Sequence, residues 1–310
     1  MTVRRGKSLT RWAAAGVACA AMLVGGCGKG GEGPAVEIDS NGTAAMLEAA
    51  EPVRIAHNAR VERLGVLWSR GIVAFRYRDA DGNLRDDQGN ANVQLILPDR
   101  FAMRIHKVGE TLLWIGCDAE RYWMIDLLTE PSRAYVGRHD DFTGEKGERV
   151  GLPVPPRELS RLMGLEELPP FEAGGARLRS VTERAVVIDV PSRWGWWVYR
   201  LDGEGRAEAI QLRNLEDRVL LEATLENYTP VELRGVGGAR PRTAGRVRLT
   251  APGTDWRITV ELDVPNNRLP NDEAFDFDEL VDILGPDEVI DLDLAEPITG
   301  SGIEPDGAGS

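Results

Sequence analysis

Stretch after stretch of this chain alternates an apolar with a polar residue, and that period of two restricts what it can fold into. Val73, Phe75 and Tyr77 alternate with Ala74, Arg76 and Arg78, and the polar DADGN that follows supplies a hairpin turn. The pattern returns at Val93-Leu95-Leu97, Phe101-Met103-Ile105, Leu112-Trp114 and Tyr122-Met124, with short polar turns between, as antiparallel neighbours require. It resumes over 185–190, 196–201, 207–212, 219–228, 246–250 and 257–264, giving about eleven strands. That many strands do not stay in one flat open sheet, so a strongly curved sheet or a partial barrel is expected.

Two segments depart from the alternation. Val61, Leu64, Leu67 and Trp68 recur at spacings of three and four, which predicts an N-terminal helix stopped by Gly71. Pro153-Val154-Pro155-Pro156 then precede RELSRLMGLEELPP, where Leu159, Leu162, Met163 and Leu165 form the apolar stripe of one short amphipathic helix. The expected class is therefore α+β, mainly β: a curved antiparallel sheet of about eleven strands with short helices covering its concave face.

The first residues carry Arg4, Arg5, Lys7 and Arg11 with no acidic residue before Glu32, and an apolar run from Trp12 to Val24 follows. This is a secretion signal's pattern, and its apolar part is shorter than the roughly 20 residues a permanent transmembrane helix needs. Val24-Gly25-Gly26-Cys27 resembles the lipobox of bacterial lipoproteins. That resemblance implies cleavage after residue 26 and a mature N-terminus at Cys27, carrying a diacylglyceryl thioether and an acylated amine such as a palmitate amide. Several acyl chains at about 0.8 kcal/mol per buried CH₂ hold a protein stably on a bilayer. An ordinary secretory cleavage region is the alternative. The twin Arg4-Arg5 is followed by Gly6-Lys7 rather than an apolar residue, which favours general secretion over folded export. Gly28 after the cysteine, in place of aspartate, favours the outer membrane, facing the periplasm, over the inner one. The glycine-rich, aperiodic residues after Cys27 read as a flexible tether, and 295–310 as a disordered tail.

A net charge of −13, more negative once the basic signal is removed, argues against nucleic acid as a partner. Cys19 leaves with the signal and Cys27 takes the lipid, so Cys117 has no disulfide partner. Beside Asp118 and Glu120 that thiol lacks the positive field a nucleophile needs. His57, His106 and His139 are scattered, with no metal-ligand spacing and no nucleophile-base pair, so neither enzyme activity, a metal nor a cofactor is expected. The acidic turn Asp79-Ala80-Asp81-Gly82-Asn83 lacks the spacing and distal Glu of a calcium loop and reads as a hairpin turn, while Gly235-Val236-Gly237-Gly238 reads as a loop. Asp272, Glu273, Asp276, Asp278, Glu279 and Asp282 form either a solvated face or a docking surface for a basic partner.

The order of elements and several segments together resemble the LolA/LolB-like outer-membrane lipoprotein carrier family. The segments are AHNARVERLGVLWSRGIVAFRY, ERYWMIDL, VYRLDGEGRAEAIQLRN, ENYTPVEL, VRLTAPGTDWRITVELDVPNNRLPNDEAFDF and DEVIDLD. The acidic surface and the Trp-rich RWGWWVYR depart from that family's pattern. The resemblance implies a half-barrel over 49–294, with helices in its concave mouth and an apolar cavity for a lipid or a lipoprotein acyl chain. Phe75, Leu95, Leu97, Met103, Ile105, Trp114, Tyr122, Met124, Trp196 and Val198 are the expected lining, and the helix bearing Leu159, Leu162 and Met163 the expected lid. These aromatics either line such a cavity or pack sheet against helix. By alternation Trp197 and Tyr199 point to the face opposite Trp196 and Val198, so that strand is covered on both sides or meets a partner or a bilayer. The other reading is an envelope interaction or sensor module with the same sheet and no lipid cargo.

Overall fold

The computed structural model describes residues 40–78, 84–171, 175–234 and 240–294. Cys27 and the signal, the tail 295–310, the turn 79–83 and the 235–238 loop lie outside those residues. The chain opens with a helix, α1 (Ser40–Glu62), and enters a meander of β1 (Val66–Arg78), β2 (Leu84–Ile96), β3 (Arg100–Lys107), β4 (Glu110–Cys117), β5 (Arg121–Asp126) and β6 (Arg133–Arg138). Two short helices, α2 (Gly144–Val150) and α3 (Arg157–Leu162), carry it across. A second meander follows: β7 (Arg177–Val181), β8 (Val186–Ser192), β9 (Gly195–Leu201), β10 (Ala207–Arg213) and β11 (Val219–Glu226). A two-residue pair, β12 (Thr229–Pro230) and β13 (Arg242–Thr243), precedes β14 (Arg246–Thr250) and β15 (Arg257–Asn266). The chain closes with a 3₁₀ turn (Asp272–Phe275), α4 (Phe277–Leu284) and β16 (Glu288–Asp291).

Among the described residues fourteen strands form one sheet in the order β16-β6-β5-β4-β3-β2-β1-β15-β14-β11-β10-β9-β8-β7. The order does not return on itself, so among the described residues β16 and β7 are the edges and the curved sheet is a half-barrel rather than a closed one. The two meanders are zipped together where β1 lies antiparallel to β15, with Val73 opposite Val260. Every pairing in the sheet is antiparallel except β16 on β6. Three sheet strands go beyond the eleven legible from alternation: β6, β7 and β16. β6 escapes a period-two search because Ala134 and Tyr135, on opposite faces, are both buried, and β16 has four residues.

The N-terminal helix lies upstream of its expected place. It begins at Ser40, inside the stretch read as tether, and ends at Glu62, whereas Leu67 and Trp68 belong to β1. The helical spacing of Leu64, Leu67 and Trp68 is overridden because β1 bonds along its whole length to β2 and most of its length to β15. The buried stripe of α1 is Ala50, Val53, His57 and Val61, at spacings of three and four. No helix among the described residues is long and apolar enough to cross a membrane.

The two faces of the sheet are treated differently. The concave face carries one continuous core, from Tyr135 on β6 through Met124, Ile105, Leu95, Val73 and Val260 to Tyr199 on β9, with Leu162 and Met163 packed into it. On the outer face α4 sets Phe277 and Leu280 against Trp123, Ile125 and Ala134. Gly116 makes room there, since a Cβ at that position would come within 2.6 Å of Trp123 Nε1.

Candidate functional site

The expected site is the concave face, and the structure brings most of its residues together there. Leu95, Met103, Ile105, Tyr122 and Met124 are buried in one cluster with Leu162 and Met163, while Phe75, Leu97 and Leu159 are half-buried against it. Three residues lie elsewhere. Trp114 is opposite Ile125 across β4 and β5, on the outer face, beside the α4 cluster. Trp196 and Val198 alternate with Trp197 and Tyr199, which belong to the concave core, so they too face outward. Alternation orders the residues of a strand but does not say which set is inside. The neighbours do: Trp197 lies opposite Val190 and Leu212, both core residues, whereas Val198 lies opposite Asp189 and Gln211.

Leu95, Tyr122 and Trp197 are 0%, 1% and 0% exposed. A void wide enough for water beside them would register as exposure, so at these residues the concave face is filled by the protein's own side chains. Tyr122 shows how tightly. Its ring meets Phe142 edge-on at 5.2 Å, and a Cβ on Gly137 would lie 2.7 Å from its hydroxyl.

What covers this face is held by side chains of α1 that reach backbone carbonyls of its neighbours. Arg54 Nη1 and Asn58 Nδ2 both donate to Leu168 O at 2.9 Å, and Asn58 Oδ1 accepts from Leu168 N at 2.8 Å. Arg60 Nη2 donates to Gly164 O at 2.6 Å and Nη1 to Arg242 O at 3.3 Å. These contacts tie α1 to the segment after α3 and to β13. The fully buried His57 lies between two carbonyls, with Nδ1 3.0 Å from Gly205 O and Nε2 2.9 Å from Glu166 O. Two carbonyls call for a doubly protonated ring, but burial and the adjacent Arg60 charge win and lower its pKa to about 4. Gly205 adopts φ +74° and passes so close that a Cβ would lie 2.5 Å from His57 N, so only glycine fits this turn.

Beside these contacts, at the mouth between α1, α3 and the β2–β3 turn, is a cleft of about 510 Å³ lined by Val61, Leu97, Glu158, Arg161 and Leu165. Arg161 pairs with Glu158 at 3.3 Å and with Glu166, and its guanidinium lies 5.1 Å from the Trp197 ring centre. Burial pushes the Glu158 carboxyl above its ordinary range. This charged rim over an apolar floor was not anticipated from sequence. The one available signal was His57, a polar residue on the apolar stripe of α1.

Cys117 is buried, its Sγ 3.5 Å from Asp99 O, and burial pushes its thiol up to about 12. Among the described residues no three His, Cys, Asp or Glu side chains are placed to hold a metal.

Comparison with solved structures bears on the fold. A DUF1329 family protein from Desulfovibrio piger superposes at a TM-score of 0.50 with 8% identity, over 76% of this chain and 98% of that one. A LolA superfamily protein from Nitrosomonas europaea superposes more loosely, at 0.41 with 13% identity over 76% and 98% of the two chains. An outer membrane lipoprotein-sorting protein domain from Vibrio parahaemolyticus, described as putative, gives 0.46 with 13% identity over 75% and 97%. No protein-family model and no curated protein matches the sequence. An open antiparallel half-barrel curved over a helical layer is the architecture that the sequence resemblance implied. This is a likeness of fold, at identities too low to transfer an activity.

Proposed function

We propose that this chain is a non-enzymatic envelope lipoprotein, anchored through lipid on Cys27 to the periplasmic side of the outer membrane, that takes up a lipid or lipoprotein acyl chain between its sheet and its helices. The observation that carries the reading is the construction of the helical layer. An apolar concave face is covered by separate helices, and α1 is fastened by side-chain bonds to backbone carbonyls. Such bonds contribute on the order of 1 kcal/mol each and can be released singly. A fully buried acyl chain of about 15 methylenes gains on the order of 12 kcal/mol before costs, enough to offset lifting a layer held this way. The chain enters only when that layer moves, because the floor is filled when it is down.

The filled floor also supports a second reading, an envelope interaction module that never opens. One experiment separates the two. The purified protein and its Arg60→Ala and Asn58→Ala variants are titrated with a fluorescent fatty acid, and co-purifying lipid is sought by mass spectrometry. The carrier reading expects micromolar uptake that rises in the variants. No uptake by any of the three removes it and leaves the interaction module. Cys27→Ala with membrane fractionation tests the anchor independently, and membrane association that survives the substitution refutes lipidation as its cause.

A further inference from the structure

The outer face of the central strands carries a second constellation that the concave site does not use. On β2, Asn90, Asn92 and Gln94 alternate with the core residues Ala91, Val93 and Leu95, so all three amides point outward. Register then builds a lattice around them. Arg70 on β1, Asn92 on β2, Arg104 on β3 and Trp114 on β4 lie in one row, with Asp263 of β15 at its end. Neighbouring rows place Trp68 beside Gln94, and Ile72 beside Asn90 and His106. The segment 267–271, leaving β15, adds Arg268, Leu269 and Asn271 as a wall, and the resulting groove has a volume of about 880 Å³.

Three features distinguish this groove from ordinary sheet surface. First, α4 and the 3₁₀ turn cover the outer face beside it and stop at Trp114 and Ala102, leaving the lattice open. Second, Arg70, Arg104 and Arg268 have no carboxylate within ion-pair distance among the described residues; arginines elsewhere, such as Arg177 and Arg193, share that trait singly, but here three converge on one groove. Of the two carboxylates in the groove wall, Glu261 is drawn to Arg246 at 3.3 Å, which leaves Asp263 against three guanidinium groups. Third, the amides of Asn90, Asn92 and Gln94 make no hydrogen bond to other described residues.

A planar amide presents a donor beside an acceptor, which matches adjacent hydroxyls, and a guanidinium presents paired donors, which bind carboxylate or phosphate through two parallel bonds. Same-face neighbours repeat at roughly 7 Å along a strand and roughly 5 Å across the sheet, so a ligand rich in hydroxyls spans several of them at once. Arg70 and Arg268 lie 5.6 and 5.7 Å from the Trp68 ring centre and Arg104 lies 5.9 Å from that of Trp114, so the half-buried indoles hold the guanidinium groups in place along the groove. A bare anion needs the arginines but not the amide lattice, and a neutral glycan needs the amides but not three uncompensated arginines. We propose that this groove binds an anionic carbohydrate, a sugar carrying carboxylate or phosphate.

The test is calorimetric titration of the full-chain protein with an oligogalacturonate, glucose 6-phosphate, maltotriose and inorganic phosphate, followed by sedimentation with phosphatidylglycerol vesicles bearing or lacking an anionic glycolipid. The expected result is binding of at least one acidic sugar at least tenfold tighter than maltotriose or inorganic phosphate. The vesicle arm tells a glycolipid headgroup from a soluble glycan. Arg70→Ala and Asn92→Ala should each weaken that binding about tenfold with the urea midpoint kept, and Arg218→Ala, on an exposed arginine outside the groove, should leave it unchanged. The Asn92 variant is decisive because it alters no charge. Equal binding of phosphate and acidic sugar, no loss in Asn92→Ala, or no sugar binding at all overturns the proposal. So does a dimer that Arg70→Glu dissociates, which would give the groove to a second copy of the chain.

Discussion

The two faces of this sheet are made by the same strands, residue by alternate residue, and they have opposite characters. Inward, Ala91, Val93 and Leu95 join a closed apolar core; outward, Asn90, Asn92 and Gln94 floor an open groove. The concave face is complete in itself, its surface spent on α1 and α3. The outer face is finished only over β4 to β6, where α4 lies on it. Stability and acyl-chain uptake should therefore follow the concave side and sugar binding the outer one, and substitutions at adjacent positions should separate them.

Adjacent tryptophans on β9 give the largest expected separation. Trp197→Ala empties a fully buried site and should lower stability by about 3–5 kcal/mol. Trp196→Ala removes an outward ring with Arg177 4.5 Å from its centre, and should cost about 1 kcal/mol. Urea denaturation of both variants checks this, and equal losses would break the assignment of faces.

His57 sharpens the contrast through pH. Its folded-state pKa, about 4, lies below the ordinary 6.5, so the fold favours the neutral ring. The resulting stability is fully present above pH 6.5 and is lost as pH falls toward 4, by ~3 kcal/mol across that window. His57→Gln should be less stable at neutral pH and should flatten this part of the pH profile. Fatty-acid uptake by the wild-type protein should rise over the same window, because protonation loosens α1, while sugar binding at the outer groove should not follow it. A wild-type stability profile that stays level between pH 6.5 and 4 would show that His57 does not hold the helical layer down.

The covered part of the outer face is weaker again. Asp276 caps α4 by accepting from Glu279 N at 3.1 Å, and Gly285 ends the helix in the left-handed conformation. Asp276→Ala should cost about 1 kcal/mol. The loss should appear first as faster hydrogen exchange in α4 with the concave core still protected, and uniform exchange would mean that the outer layer is not separable.

How much of this was legible beforehand follows the same division. Alternation located the strands whose two faces differ in polarity, and missed β6, where Ala134 and Tyr135 are buried on opposite sides. The expected lining put Leu95 and Trp114 on one concave face although they face apart, because orientation is set by the residue opposite, as Ile125 is to Trp114. The stripe ending at Val61 is a real helical signal. Its continuation into Leu67 and Trp68 is not, since pairing with β2 outweighs local spacing there. The contacts of α1 had no sequence signature, because Asn58 and Arg60 act on backbone carbonyls more than 100 residues away, which no side-chain pattern announces. The trace of the outer groove in the sequence is confined to β2, where Asn90, Asn92 and Gln94 stand at alternate positions.

The smallest effect concerns a turn that belongs to neither face. Val108, at the tip between β3 and β4, is 95% exposed and held at φ +52°, followed by Gly109 at φ +87°. Two successive positive φ angles are the demand of a tight hairpin turn that Asn-Gly meets without strain and a β-branched residue does not. Val108→Asn should therefore raise stability by roughly 0.5–1 kcal/mol, read as a higher urea midpoint, with the pH profile and sugar binding unmoved. A midpoint that stays level would mean that the exposed valine relaxes its backbone in solution, and that the hairpin is set by the β3–β4 register, from Phe101 opposite Cys117 to Lys107 opposite Glu110, rather than by its turn.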